Sequence, residues 1–265
     1  MRELVVRGQS LAEVYHKALC ELEQYGEIME SSDWNCKCLE ASMTMVITDP
    51  LSEPMISRCC ICSPESLEQY REEMIYGILD FNIGKGWDYT YHDRMVNYYV
   101  DNSERFPDTH SVNQIEFVID ELKNNPGSRR AVIDVRDNSD DMYSNDPACL
   151  QHIQFFVRNK KLDCCALFRS NDATRANFMN CFGLIQIQLM IAQKLDLEIG
   201  TFTLRANSFH CYEQEFENLK HYVKKIKAKG NTDKSITFNF SDDWQLKMIA
   251  SQETIYNKVE HLKGE

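Results

Sequence analysis

In the stretch DPACLQHIQF, residues 146–155, a cysteine stands two positions after a proline and opens an apolar, alternating run. Cys149 at that place invites nucleophilic chemistry, which needs the thiolate, and positive neighbours favour the thiolate. Three arginines are candidates for such neighbours: Arg129 and Arg130 in NPGSRRAVI, and Arg169 in FRSNDATRANFMN. Their planar, permanently charged forks suit a phosphate. Asn180 carries a donor and an acceptor on one amide, which can read the edge of a base. His210 and Tyr212, two apart in the strand-like RANSFHCY, share a face and can hold a sugar hydroxyl. A thiolate beside a pyrimidine ring has a defined reaction. It adds to C6, and C5 becomes an enolate-like nucleophile able to attack an electrophilic one-carbon unit.

The chain holds 11 cysteines, so Cys149 must be weighed against ten others that can be ordinary small core residues. Cys36, Cys38, Cys59, Cys60 and Cys62 invite a zinc reading. Their spacing is C-x-C and C-C-x-C rather than paired C-x₂₋₄-C, so no metal is expected. Cys164 and Cys165 are adjacent in a strand-like run and face opposite sides. The odd count argues against a fully paired disulfide framework.

The elements that must position these groups are legible in outline. Residues 10–26 form a helix with Ser10 and Glu13 as a capping box and Gly26 as the stop. LEASMTMVITDP alternates as a strand ended by Pro50. A second helix starts at Ser63 and Pro64, and a third, beginning near His110, closes on Asn-Pro-Gly. RRAVIDVRD reads as a short buried strand. LQHIQFFVRNKKLDCCALF reads as two strands joined at Asn159, Lys160 and Lys161. NFMNCFGLIQIQLMIAQKL is apolar on nearly all sides and belongs in the centre. The strand TFTLRANSFHCY, an amphipathic helix, the strand SITFNF and a tail of open conformation follow. Helices and strands mix without βαβ alternation, which gives an α+β fold over 1–265 as one domain.

Composition excludes several classes. A formal charge of −12 disfavours nucleic-acid backbones and anionic membranes as partners. No window holds the ~18 consecutive apolar residues of a membrane span. The N-terminus lacks a signal-peptide pattern, and a cytoplasmic setting is expected.

The four islands, in this order and at these intervals, resemble thymidylate synthase. Twenty positions separate Arg129 from Cys149, and twenty separate Cys149 from Arg169. Ser128-Arg129-Arg130 is similar to the family's arginine pair after serine, and DPACLQHIQF to its nucleophile region. Arg169, Ser170, Asp172 and Asn180 are similar to its Arg-Ser-x-Asp signature and the asparagine eight residues on, and His210 and Tyr212 to its His-x-Tyr pair. The resemblance spans about residues 126–219. It implies a thymidylate-synthase-like fold, a mixed β-sheet flanked by helices, and a homodimer formed through the sheet with shared active sites. Cys149 would be the nucleophile. Arg169, Ser170 and the partner's copies of the Arg129 and Arg130 pair would bind phosphate. Asn180 would read the base, and His210 and Tyr212 would hold the ribose 3′-hydroxyl. Asp172 would contact the folate, and Tyr91 would be an active-site tyrosine. Glu73, with Glu72 as the alternative, would manage protons through water. The co-substrate implied is 5,10-methylenetetrahydrofolate, without a metal, and the reaction implied is dUMP to dTMP.

The pattern departs from the family at named places. The stretch SSDWNCK, where a phosphate-binding arginine is expected, has none, with Lys37 and Arg7 as possible substitutes. Leu150 follows the nucleophile where histidine is usual. Arg175-Ala176 replaces Leu-Gly, Gly183 stands for serine, Ser208 for aspartate, and the end NKVEHLKGE lacks an apolar tail. Two alternatives therefore stay open. One is a hydroxymethylase acting on CMP, dCMP or dUMP, with water quenching the same adduct; Asn180 favours uracil. The other is a catalytically silent nucleotide-binding relative.

Overall fold

The computed structural model describes residues 1–31, 35–100 and 111–264. The start expected for the third helix at His110, and residues 32–34 of SSDWNCK, lie outside the described residues. An edge strand that periodicity did not reveal, β1 (Glu3–Gly8), precedes α1 (Leu11–Tyr25). Ser10 caps α1 by accepting from the Glu13 amide at 3.4 Å, but the Glu13 carboxylate accepts from Gln9 at 2.7 Å. The capping box expected there is thus displaced by one residue. Gly26 ends the helix in extended rather than left-handed backbone.

β2 (Glu27–Ser31) pairs antiparallel with the long β3 (Cys36–Ile47), and β4 (Ile56–Ser57) follows. α2 (Pro64–Tyr76) begins as expected, with Ser63 and Ser66 exchanging the two hydrogen bonds of a capping box. It stops at Gly77, φ +61°, where a Cβ would lie 2.2 Å from both Asp80 and His92. α3 (Tyr91–Val96), β5 (Tyr98–Tyr99), β6 (Ser111–Val112) and α4 (Gln114–Asn124) come next. The Asn-Pro-Gly turn after α4 closes with the Ser128 amide donating to the Asn125 carbonyl at 2.9 Å.

β7 (Val132–Asp134), the one-turn α5 (Asn138–Asp141), β8 (Leu150–Arg158), β9 (Lys161–Asp172), α6 (Asn177–Lys194) and β10 (Glu198–Tyr212) follow. The β8–β9 hairpin turns through Asn159 and Lys160, both at positive φ, which matches the strand twist of a two-residue loop. α7 (Phe216–Lys229), β11 (Thr237–Phe238) and α8 (Gln245–Lys263) complete the chain. The tail whose form was open is therefore a helix. It docks on α2, with Tyr256 donating to Glu72 at 2.5 Å and Gln252 to Glu68 at 2.6 Å.

The main sheet runs β1-β3-β10-β9-β8-β7, with β2 added to β3. It is mixed: β1–β3 and β10–β9 are parallel, the other pairs antiparallel. Phe155, Phe168, Phe202, Phe209, Met43 and Met45 are fully buried and form its core with α6, whose Cys181, Phe182, Ile185 and Ile187 are also fully buried. This is the mixed sheet flanked by helices that the α+β reading expects. Cys164 is buried and its neighbour Cys165 exposed, as strand alternation requires. Cys60 and Cys62, two positions apart, bring their sulfurs together.

Candidate active site

The register of the sheet brings the polar islands together. β9 and β10 run parallel with Ser170 opposite Ser208 and His210 opposite Asp172. A register shift in β10 between Ala206 and Phe209 re-aims the chain just ahead of His210, and another in β8 falls just after Cys149. The β8–β9 pairing sets Cys149 beside Arg169, whose amide donates to the Cys149 carbonyl at 2.9 Å.

These strand ends, α2, α6 and the loop before α3 enclose a cleft of about 940 Å³. Cys149, Arg169, Ser170, Asp172, Asn180, His210, Tyr212, Tyr91 and Glu73 all line it. Arg129 and Arg130 do not. Arg130 is 75 % exposed and pairs with Glu121 at 3.0 Å, and Arg129 is exposed nearby, its carbonyl accepting from Gln154 at 2.8 Å. Arg7 and Lys37 are likewise outside the cleft lining. Glu72 faces α8 and Tyr256, so Glu73 is the member of the pair in the cleft.

Arg169 is the one arginine or lysine lining the cleft among the described residues. Its Nε donates to the Ala148 carbonyl at 3.1 Å and its Nη2 to that of Pro147 at 2.5 Å. The guanidinium thus grips the backbone that delivers Cys149 and places a fixed positive charge beside it. Tyr91 Oη accepts from the Leu150 amide at 3.3 Å, on the other side of the cysteine. Cys149 differs in setting from the core cysteines. Burial pushes the Cys59 thiol up to about 11 and Cys211 up to about 12, with Cys164 driven well above its ordinary range. Those thiols stay protonated and inert, whereas Cys149 opens onto the cleft.

Glu73 is held above its ordinary carboxylate range by burial, against the opposing pull of a hydrogen bond from Gln69 at 2.8 Å. A carboxyl that holds its proton more tightly than usual can serve as an acid as well as a base. Burial likewise raises Tyr70, Tyr89 and Tyr91, which remain phenols rather than phenolates. The Asp172 carboxylate accepts at one oxygen from the Thr174 and Arg175 amides, 2.9 Å each, which fixes the turn into α6. His210 is buried; its Nδ1 lies 3.3 Å from Ser208 Oγ, and its ring meets Tyr212 edge-on at 4.7 Å.

The cleft also contains residues the motifs did not reveal. Tyr70 donates to Asn180 Oδ1 at 2.5 Å. Trp87, Asp88 and Tyr89 line the mouth, and His92 Nδ1 sits 2.6 Å from Asp80 Oδ2. Tyr70 stands one helical turn before Glu73, and that spacing was the available signal. The loop residues carry none. Among the described residues, no group of three or more His, Cys, Asp or Glu is placed to hold a metal ion. No helix there is long and apolar enough to cross a membrane.

The family model for thymidylate synthase matches residues 70–260. A protein of Methanocaldococcus jannaschii named "Putative thymidylate synthase" is 30% identical over 229 residues, covering 83% of this chain and 96% of its own length. One of the same name from Methanosarcina mazei is 28% identical, over 84% of this chain and 95% of its own. The "Thymidylate synthase" of Bacillus subtilis subsp. natto is 31% identical over 142 residues, about half of each chain. With the model spanning most of the chain and the matched segment holding both the cleft and its cysteine, this protein belongs to the thymidylate synthase family.

Proposed function

We propose that the protein transfers a one-carbon unit from 5,10-methylenetetrahydrofolate to C5 of a pyrimidine nucleoside monophosphate, converting dUMP to dTMP. The convergence of Cys149, Arg169, Glu73, Asn180, His210 and Tyr212 on one cleft carries this reading. In it, Arg169 and Ser170 bind the phosphate, His210 and Tyr212 hold the 3′-hydroxyl, and Asn180 hydrogen-bonds the base edge. This positions C6 for Cys149. Addition of the thiolate makes C5 nucleophilic, and Glu73 moves the proton through water at the base. Asp172 faces the folate, which supplies the one-carbon unit and, for a methyl product, the hydride. Trp87 and Tyr89 offer the cleft mouth apolar faces for a planar pterin ring.

Charge argues for a second subunit. Among the described residues, the cleft lining holds Glu73, Asp80, Asp88, Asp146 and Asp172 against Arg169 alone. A phosphate dianion needs more positive charge than that. Exposed Arg129 and Arg130 can supply it from a partner, in a homodimer that joins sheet to sheet. The reading takes 1–265 as one catalytic domain, working in the cytoplasm.

Release of tritium from C5-labelled dUMP in the presence of the folate tests C5 activation. Product mass then separates a methyl from a hydroxymethyl, which differ by one oxygen. A silent protein releases none from dUMP, dCMP or CMP, and that result sinks the proposal.

A further inference from the structure

Three side chains meet at the amide that faces the base. Tyr70 on α2 donates to Asn180 Oδ1 at 2.5 Å, and Asn180 Nδ2 donates to Asn171 Oδ1 at 3.3 Å. Asn180 and Asn171 are both more than nine-tenths buried, and Asn171 Nδ2 finds no partner in the described structure. An amide gripped in this way breaks both buried hydrogen bonds when it turns over.

Orientation matters because the two pyrimidine bases are mirror images at this edge. Uracil presents N3–H as donor and O4 as acceptor. Cytosine presents N3 as acceptor and the 4-amino group as donor. An amide that rotates freely satisfies either, and one held in place satisfies one.

Gly183 explains how Tyr70 reaches Asn180. A Cβ built at Gly183 would lie 2.9 Å from Tyr70 Cε1, 3.1 Å from Cδ1 and 3.2 Å from Met74 Cγ. The glycine on α6, three residues past Asn180, opens the slot that the Tyr70 ring fills. The glycine at 183 and the tyrosine at 70 are therefore one structural feature.

Resting on the nucleotide-binding reading above, we propose that Tyr70 and Asn171 are positioning residues that lock the Asn180 amide, with Gly183 making the space, and so set the choice between uracil and cytosine nucleotides. Calorimetric binding of dUMP and dCMP decides it without requiring turnover. Wild type should prefer one nucleotide, and Tyr70→Phe, which keeps the ring but loses the donor, should cut the ratio of the two Kd values about tenfold. Gly183→Ala, which displaces the ring, should do the same. The double variant should lose no more than either single one. Where Gly183→Ala does not fold, Asn171→Ala takes its place.

Equal affinity of wild type for both nucleotides overturns the proposal. So does an unchanged ratio in Tyr70→Phe, or a parallel loss for both nucleotides. Absence of tritium release from wild type would instead count against the one-carbon transfer and leave the binding ratio to decide this inference.

Discussion

Cys149 and Glu73 divide the proposed chemistry between a nucleophile and a proton manager, and each can be removed singly. Cys149→Ala should abolish tritium release while changing dUMP affinity little, because the phosphate, sugar and base contacts proposed above all lie on other residues. Calorimetry and the release assay on the same preparation check both halves. Glu73→Gln keeps the shape and should lower kcat by about 10²- to 10⁴-fold with a smaller change in KM. Glu73 also leaves a mark on stability. Its folded value is raised above the ordinary 4.5, so the native state binds the proton more tightly than the unfolded chain. The contribution of Glu73 to stability is most favourable below 4.5 and is lost as pH rises through the raised value. Glu73→Gln should flatten that slope in a Tm-against-pH series.

α1 is tied to the rest of the fold by a buried histidine that titrates in the opposite sense. His16 is fully buried, with Nδ1 2.7 Å from the Asn231 carbonyl and Nε2 2.7 Å from Ser57 Oγ. The neutral ring fits both, donating at Nδ1 and accepting at Nε2. Burial lowers it to about 4 from 6.5, partly opposed by the Asn231 contact. The unfolded chain therefore takes up the proton first. The stability His16 confers is complete above 6.5 and is lost as pH falls from 6.5 toward 4, by on the order of 3 kcal/mol. Chemical denaturation at several pH values should show that loss in wild type and a shallower one in His16→Gln. α2 shows how one element serves two neighbours. Tyr70, Glu73 and Met74 line the cleft, while Glu68 and Glu72 meet Gln252 and Tyr256 of α8. The closing helix thus braces the helix that carries the proton manager.

At the scale of the whole molecule, the acidic cleft and the exposed arginine pair make a prediction about assembly. If Arg129 and Arg130 serve the partner's phosphate, Cys149→Ala chains and chains lacking both arginines are each inactive. Mixed and refolded together in equal amounts, half the dimers are hybrids, each with one intact site, so about a quarter of wild-type activity should return. Recovery of none means the arginines act in their own subunit, and activity in the chains lacking both arginines means they do not act at all.

Sequence alone nominated the residues proposed to carry the chemistry, because the identity of a thiol, a guanidinium or an amide does not depend on folding. It also determined most elements of the core, from Ser63 and Pro64 opening α2 to the all-round apolar α6, since hydrophobic period and capping are local. β1 and β2 escaped notice because their outward residues mix apolar with polar: Val5, Ile28 and Met29 are exposed beside Glu3, Arg7, Glu27 and Glu30. α8 stayed open because its buried apolar positions are few, Met248, Ile255 and Val259, and its partner, α2, is 184 residues away along the chain. The choice of Glu73 over Glu72 needed tertiary structure, for adjacent residues on a helix face different neighbours and only packing says which one meets the cleft. The grip of Tyr70 on Asn180 through the gap at Gly183 likewise joins residues over a hundred positions apart. Contacts of that kind are set by how α2 lies against α6, and no local pattern records it.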